Sequence, residues 1–203
     1  MTKDKPVNSL DPTTTSLLVV DAQRGFTDLC PTELPVPGGR EIVSAINSLL
    51  RLPFARIDAT QDWHPVDHCS FLGQRDNLYP PHCVIGMGGA EFLQGLETQR
   101  FHAIWRKGYN KDFEAYAVTA QHPGFAAFLR ASRILTVVVC GIATNICCFF
   151  AARDLKHAGL NVWIVEDASV GIDVPAAGLV QASAKAEGIG LGIRYVVVNE
   201  VQF

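Results

Sequence analysis

Short apolar segments alternate with segments of helical periodicity along most of the chain, and this alternation constrains the fold strongly. Strands are predicted over residues 16–21, 56–60, 102–107, 135–140, 161–165 and 193–198. Helices are predicted over residues 40–52, 91–99, 123–132, 147–157 and 175–187. Strands that alternate with helices are typical of a parallel sheet covered by its crossover helices. We therefore predict an α/β fold: a doubly wound, six-stranded parallel sheet with helices on both faces.

Length and composition limit the class of protein. The chain has 203 residues, of which 48 % are hydrophobic, and a net charge of −3. We predict a single domain over residues 1–203, with a polar N-terminal tail at 1–15. The dispersed charges indicate neither a nucleic-acid partner nor a membrane surface, and no apolar run reaches the roughly 18 residues of a membrane span. Since no signal-peptide core is visible, we expect a cytoplasmic protein with mostly reduced cysteines.

The stretch 137–148 joins a predicted strand to a predicted helix and contains a candidate nucleophile. It opens with β-branched residues, breaks at Gly141 and restarts as helix, where Thr144 is a suitable N-cap. Cys147 would then lie in the first helical turn, where unpaired N–H groups and the helix dipole favour a thiolate. The alternative is a buried cysteine that acts only as a small apolar residue.

Two charged residues end other predicted strands. Asp21 ends the first strand and Lys107 ends the third. Open α/β sheets bind ligands at the carboxyl ends of their strands, so both side chains are expected at the same edge as Cys147. Asp21 would accept the thiol proton, and Lys107 would stabilise the thiolate. The alternative for Asp21 is a residue that only caps the turn after its strand.

A third cluster indicates a metal site. Asp62 and His64 are two residues apart, and on an extended segment their side chains point the same way. His68 or His82, from the long irregular region that follows, could supply a third ligand. A carboxylate and two imidazoles suit a divalent ion such as zinc, iron or manganese, with positions left for water or substrate.

Other interpretations of these residues stay open. Asp62 and His64 could simply form local hydrogen bonds in a loop, and Cys69 and Cys83 could join the histidines in a Cys/His zinc site. The two cysteines lack C-x-x-C spacing, which disfavours a structural zinc finger. The remaining histidines are expected at ordinary strand-edge or helix-end positions; they are His102, His122 and His157.

Seven short blocks occur in order along nearly the whole chain. They run from Val20 to Phe26, Val36 to Gly39, Asp62 to Phe71, Pro80 to Gly86, Gly89 to Phe92, Lys107 to Gly108 and Gly141 to Cys147. Through these blocks the chain resembles the nicotinamidase/pyrazinamidase members of the isochorismatase-like cysteine hydrolase family. Any single block would be a weak signal, but seven at the expected separations are specific.

The resemblance implies roles for particular residues. It implies a catalytic triad, which falls on Asp21, Lys107 and Cys147. It implies one metal ion, held by Asp62, His64 and His82, while His68 matches a histidine that is a ligand in only some members. A cis peptide bond is implied between Ile142 and Ala143, with the N–H groups of Ala143 and Cys147 forming an oxyanion hole. Pocket aromatic residues are expected at Phe26, Trp63, Tyr79 and Tyr116.

The resemblance also implies an activity. This is hydrolysis of nicotinamide to nicotinate and ammonia through a cysteine thioester, with pyrazinamide as a further substrate and zinc as the expected metal, iron and manganese being alternatives. A small-molecule substrate is the implied partner, and assembly into a homo-oligomer is left open. Cys148 is expected to face the core as a bystander.

Two departures from the family pattern keep an alternative in view. Arg24-Gly25 stands where nicotinamidases often carry Asn-Asp, and Asn145 replaces a more usual aspartate. The Thr-Asn-x-Cys-Cys pattern looks more like relatives that hydrolyse ureido or carbamoyl amides. Those relatives lack the Asp-x-His motif, which favours nicotinamidase. A non-enzymatic metal-binding or redox-sensing protein on the same fold is the alternative from another class.

Overall fold

The computed structural model describes residues 9–203 and contains one six-stranded sheet. Its strands are β1 (Thr15–Val20), β2 (Arg56–Asp62), β3 (Ala103–Lys107), β4 (Thr136–Ile142), β5 (Asn161–Val170) and β6 (Arg194–Val196). Their order is β3-β2-β1-β4-β5-β6, and every neighbouring pair is parallel. The predicted α/β fold and parallel sheet are therefore confirmed.

The strand order places the functional edge. From β1 the chain builds outward to β2 and β3, and from β4 it builds the other way to β5 and β6. The order therefore reverses between β1 and β4, where the carboxyl ends of adjacent strands leave a crevice in doubly wound folds. Asp21 follows β1 and Cys147 follows β4, so both lie at this reversal point.

Among the described residues, helices occupy four of the five connections between consecutive strands, and the connection from β2 to β3 contains only 3-10 turns. The helices are α1 (Val43–Leu50), α2 (Val118–Gln121), α3 (Phe125–Ala131), α4 (Phe149–His157) and α5 (Gln181–Gly190). Under the helices, the central strands are buried on both faces, which explains their continuous apolar runs. All six residues of β1 are buried, and Val137, Val138 and Val139 of β4 have no exposed surface.

Two helix predictions need correction. The predicted helix over 91–99 is wrong: within the described residues this segment forms turns, and a 3-10 turn begins at Thr98. Gly95 adopts a φ of +85°. The Leu93 N–H donates to the carbonyl oxygen of Ala22 at 2.9 Å, so the segment lies beside the residues that come just after β1. The helix predicted over 175–187 is interrupted at Gly178, where φ is +72°.

Some predictions about the whole chain remain as they were. That residues 1–203 form a single domain stays a prediction, and residues 1–8 of the predicted tail lie outside the described residues. Leu10 is buried, and its N–H donates to the Gln202 carbonyl oxygen at 2.7 Å, so the described end of that segment lies beside the C-terminal residues. In the described range, no helix is both long and apolar enough to cross a membrane.

Candidate active site

Cys147 lies in a single π-helical turn, Thr144–Cys148, between β4 and α4. The predicted N-cap at Thr144 is wrong by one residue. Ala143 has the extended backbone of an N-cap (φ −92°, ψ 144°), and its carbonyl oxygen accepts the N–H groups of Ile146 at 3.0 Å and Cys148 at 3.1 Å. The peptide bond between Ile142 and Ala143 is cis.

The structure brings Asp21, Lys107 and Cys147 together at the carboxyl edge of the sheet. The Lys107 ammonium lies 2.8 Å from Asp21 Oδ2 and 3.5 Å from the Cys147 sulfur. The Asp21 contact is an ion pair by distance, and Oδ2 has no hydrogen bond of standard geometry. All three side chains are buried, so their charges interact with little screening by water.

Burial sets the protonation of these groups. Burial raises the pKa of the Cys147 thiol well above its ordinary value, and Lys107 offsets this only in part. Burial also raises the pKa of Asp21, against the lowering effect of Lys107. Burial thus favours the thiol form of Cys147, which opposes the effect expected of the helix start, and such a thiol needs a proton acceptor. A carboxylate with a raised pKa is a better acceptor than an ordinary one.

Thr60 holds Asp21 in place, and nothing in the sequence pattern singled it out. Its hydroxyl donates to Asp21 Oδ1 at 2.6 Å and accepts the Asp21 N–H at 3.2 Å. Asp21 has a φ of +45°, an uncommon conformation for a residue other than glycine. The register of β1 on β2, which pairs Val19 with Ala59, is the signal that places Thr60 beside Asp21.

Asp62, His64 and His82 form a group whose ligand atoms all lie within 4.8 Å of one another. The Nδ1 of His64 is 2.9 Å from the Gly108 carbonyl oxygen, and that of His82 is 2.8 Å from the Pro80 carbonyl oxygen. A carbonyl oxygen can only accept, so both Nδ1 atoms carry the proton. This leaves the two Nε2 atoms facing Asp62 Oδ2, at 3.2 Å and 3.9 Å.

This donor set fits a divalent metal ion. Metal-binding histidines usually donate their other ring N–H to a carbonyl or carboxylate, as both imidazoles do here. The Nε2 of His64 is buried and has no hydrogen-bond partner among the described residues. Burial raises the pKa of Asp62, but His64 and Lys107 outweigh that effect and hold it below its ordinary value. Burial lowers the pKa of His82 to about 3. An ionised carboxylate and a neutral imidazole are the forms that bind metal, which suits Asp62 and His82. Burial lowers the pKa of His64, but Asp62 outweighs that effect and raises it, so metal would compete with a proton at this imidazole.

Gln23 fixes the position of Asp62 and was missed as a site residue. Its amide donates to the Asp62 carbonyl oxygen at 2.9 Å and accepts the Asp62 N–H at 2.7 Å. The same amide nitrogen also donates to the Ala90 carbonyl oxygen at 2.9 Å. Because all of this is buried, the end of β2 is rigidly joined to the segment after β1.

His68, the possible further ligand, is turned to other partners. Its Nδ1 lies 2.8 Å from the Ser70 hydroxyl, and its Nε2 lies 3.3 Å from the Phe113 carbonyl oxygen. The ring packs on His64, with 4.1 Å between centroids. Among the described residues, the group that could hold a metal includes neither His68 nor the two cysteines of the Cys/His alternative.

A mostly apolar pocket lies against Cys147, Asp62 and His82, and the roughly 390 Å³ of space within it includes open solvent. Three of the predicted pocket aromatics line it: Phe26, Tyr79 and Tyr116. The hydroxyls of Tyr79 and Tyr116 are 2.9 Å apart. Ala143, predicted for the oxyanion hole, also lines the pocket. Residues that sequence reasoning missed complete the wall; they are Leu34, Val36, Glu114, Ile146 and Ile172.

Trp63 is not part of the wall of this cavity, contrary to prediction. Successive side chains on an extended segment point to opposite sides, so the geometry that aligns Asp62 with His64 turns Trp63 away. Its ring instead lies 4.0 Å from the Arg106 guanidinium carbon.

The side chains of Asn145 and Cys148 make contacts within the fold. The Asn145 amide donates to the Ile172 carbonyl oxygen at 2.9 Å and accepts the Ile172 N–H at 3.2 Å. Asn145 thus connects the turn that carries Cys147 to the segment after β5. Cys148 has no exposed surface and packs in the hydrophobic core.

The chain is similar to known proteins over most of its length. A model of the Isochorismatase domain matches residues 15–185. The nicotinamidase of Acinetobacter baylyi is 35 % identical, over 78 % of this chain and 82 % of its own length. The structure of PnC1 from L. infantum in complex with nicotinate has a TM-score of 0.85 and 33 % identity, covering 95 % of this chain and 97 % of that one. The pyrazinamidase of Pyrococcus horikoshii in complex with zinc has a TM-score of 0.77 and 34 % identity, covering 90 % and 98 %.

Proposed function

Because the chain belongs to the isochorismatase domain family, we propose that it is a nicotinamidase, which hydrolyses nicotinamide to nicotinate and ammonia and also accepts pyrazinamide. The observation that carries this proposal is the position of one ammonium group. Lys107 Nζ lies 3.5 Å from the Cys147 sulfur and 2.8 Å from Asp62 Oδ1. One ammonium group therefore contacts both the nucleophile and the carboxylate of the candidate metal group. A substrate bound beside it can reach the Cys147 sulfur and the metal-binding residues at the same time.

The chain's own residues account for the proton transfers. Asp21 accepts the thiol proton of Cys147, and the thiolate attacks the carbonyl carbon of the amide. The Lys107 ammonium stabilises the thiolate, and the N–H groups of Ala143 and Cys147 donate to the oxyanion. Asp21 then gives its proton to the leaving nitrogen, which departs as ammonia and leaves a thioester. A water molecule hydrolyses the thioester, which restores the thiol and releases nicotinate.

Asp62, His64 and His82 would hold the metal ion, which we propose is zinc; iron or manganese would suit the same donors. When bound, such an ion orients a ligand nitrogen and can lower the pKa of a water molecule. The chain prepares the site by fixing both imidazoles through carbonyl groups. The zinc-bound pyrazinamidase relative supports this choice of metal.

The pocket suits a flat heteroaromatic ring. Phe26, Tyr79 and Tyr116 give it aromatic walls, which favour stacked or edge-on contact with another ring. A cavity that is mostly apolar with a few convergent polar groups is the usual form of a small-molecule site.

The alternative substrates have less support. The Asn145 that resembles ureido or carbamoyl amide hydrolases is occupied by hydrogen bonds to Ile172, so its presence does not indicate a substrate contact. The redox-sensing alternative needs an accessible, acidic thiol. Cys148 is fully buried, and burial raises its pKa well above the ordinary value.

A substrate comparison tests the proposal. Zinc-loaded protein should release ammonia from nicotinamide and pyrazinamide, and should turn over a ureido amide at least about a hundredfold more slowly, because the site must leave polar groups of the wrong substrate unpaired. Turnover of the ureido amide without turnover of nicotinamide would overturn it.

A cytoplasmic location and assembly into a homo-oligomer stay predictions.

A further inference from the structure

We propose that Glu33 is a positioning residue for the candidate metal group and that it acts through the backbone of Cys83. The inference rests on the proposed function, because the group it positions is the proposed metal site. Glu33 Oε2 accepts the Cys83 N–H at 2.9 Å. Cys83 directly follows His82 in the chain, so this hydrogen bond holds the peptide unit next to a metal-binding imidazole.

Cys83 is also hydrogen-bonded to His64, the residue that carries the second metal-binding imidazole. The Cys83 carbonyl oxygen accepts the His64 N–H at 3.1 Å, and the His64 carbonyl oxygen accepts the Ile85 N–H at 2.9 Å. The segment around Cys83 is therefore paired with the segment around His64. If Cys83 moves, both histidines move relative to Asp62.

Cys83 has a backbone that needs to be held. Its φ is +47°, in the left-handed region that residues other than glycine rarely adopt. Such a conformation persists only where the surroundings determine it. Cys83 has no exposed surface, so its N–H has no water to bond with and depends on the Glu33 carboxylate.

Two glycines make a slot for this carboxylate. A Cβ atom added at Gly89 would overlap both carboxylate oxygens of Glu33, and one added at Gly25 would overlap Oε2. The backbone beside the slot is fixed as well, because the Leu34 N–H donates to the Gly25 carbonyl oxygen at 3.1 Å. Gly25 and Gly89 thus leave space for the Glu33 carboxylate, which reaches across to the segment that contains Cys83.

Loss of Glu33 should therefore weaken metal binding rather than only loosen the fold. Without the acceptor, the Cys83 peptide would turn towards a more common φ, and His82 Nε2 would leave its place 3.9 Å from Asp62 Oδ2. Residues that orient metal ligands typically change metal affinity by about 10–100-fold when replaced. Glutamine keeps an acceptor oxygen of the same reach, so it should preserve the contact.

The test measures zinc affinity on metal-stripped full-length protein, by competition with a chromophoric chelator. Glu33→Ala should bind zinc about 10–100-fold more weakly, whereas Glu33→Gln should stay within about threefold of the parent because a neutral acceptor replaces a charged one. Glu41→Ala, which removes an exposed carboxylate eight residues on, is the matched control and should bind as the parent does. If Glu33→Ala does not fold, Glu33→Asp, one carbon too short, replaces it.

The slot itself is tested by Gly89→Ala. Alone, it should displace the Glu33 carboxylate and weaken zinc binding as Glu33→Ala does. In the Glu33→Ala background the clash is gone, so Gly89→Ala should add little, and the two effects should be far from additive. The melting temperature of each metal-free variant is recorded, since a purely structural role would lower it without separating alanine from glutamine in zinc affinity.

The outcomes separate the two proposals. If the parent binds zinc and hydrolyses nicotinamide but Glu33→Ala binds zinc equally well, the role of Glu33 is overturned and the proposed function stands. Equal losses in Glu33→Ala and Glu33→Gln, or additive losses with Gly89→Ala, also overturn it. A parent that neither binds zinc nor hydrolyses nicotinamide overturns the proposed function itself.

Discussion

Replacing Thr60 by valine tests whether the base of the candidate triad is held by its neighbour on β2. The Thr60 hydroxyl donates to Asp21 Oδ1 at 2.6 Å and accepts the Asp21 N–H at 3.2 Å. Neither residue has any exposed surface, so water cannot replace the lost contacts. Valine has nearly the volume of threonine, and the substitution therefore removes two hydrogen bonds without opening a cavity.

The structure gives the magnitude of the effect. A hydrogen bond to a charged group contributes about 1.5–3 kcal/mol, and a buried N–H without an acceptor costs about 1–3 kcal/mol. The added methyl group returns roughly 0.8 kcal/mol of hydrophobic stabilisation. The free energy of unfolding should fall by about 2–5 kcal/mol. Asp21 would also lose its orientation towards the thiol, and a misplaced catalytic group costs about a hundredfold in rate.

Two assays check this prediction. Urea unfolding gives the free energy of unfolding, and ammonia release from nicotinamide gives kcat/KM with zinc present. Thr60→Ser keeps the hydroxyl and should retain most of the activity. A Thr60→Val protein whose kcat/KM matches that of the parent would refute the view that Thr60 orients Asp21, even if its stability falls.

Three further substitutions have specific expected results. Gly108→Ala adds a Cβ that overlaps the His64 ring, and Gly108 itself has a φ of +71°, which alanine rarely adopts. Zinc affinity in a chelator competition should therefore fall by at least about tenfold. Unchanged affinity would contradict the placement of His64. Asn145→Asp loses its donor to the Ile172 carbonyl oxygen and should lower the free energy of unfolding by about 1–3 kcal/mol without changing the preferred substrate; a gain in activity would count against a structural role. Cys148→Ala should keep kcat/KM within about threefold while costing about 1 kcal/mol in urea unfolding, and a loss of several orders of magnitude would show that Cys148 is not a bystander.

The sheet and the convergence of the triad could be predicted because both follow from local patterns. Carboxyl ends of parallel strands share one edge, so Asp21 and Lys107 were expected at the same edge as the turn that carries Cys147. Alternation along an extended segment likewise aligned Asp62 with His64. The same rule should have excluded Trp63 from the pocket.

Residues that act on the site from another segment could not be predicted in this way. Thr60 and Glu33 matter through hydrogen bonds to Asp21 and Cys83, which are distant in sequence, and neither belongs to a periodic or spaced motif. Gly25 departs from the family pattern for a physical reason that only the structure shows. A side chain there would occupy the space of the Glu33 carboxylate.

Ammonia release from nicotinamide, compared between the zinc-loaded parent and Cys147→Ala, tests the central claim most directly. Cys147 is the buried thiol that lies 3.5 Å from the Lys107 ammonium, and the proposed thioester forms on its sulfur. The substitution should lower kcat/KM by more than about a thousandfold, since groups of a catalytic unit fail together, while the protein stays folded and binds zinc. Hydrolysis by Cys147→Ala at a rate near that of the parent would contradict the claim.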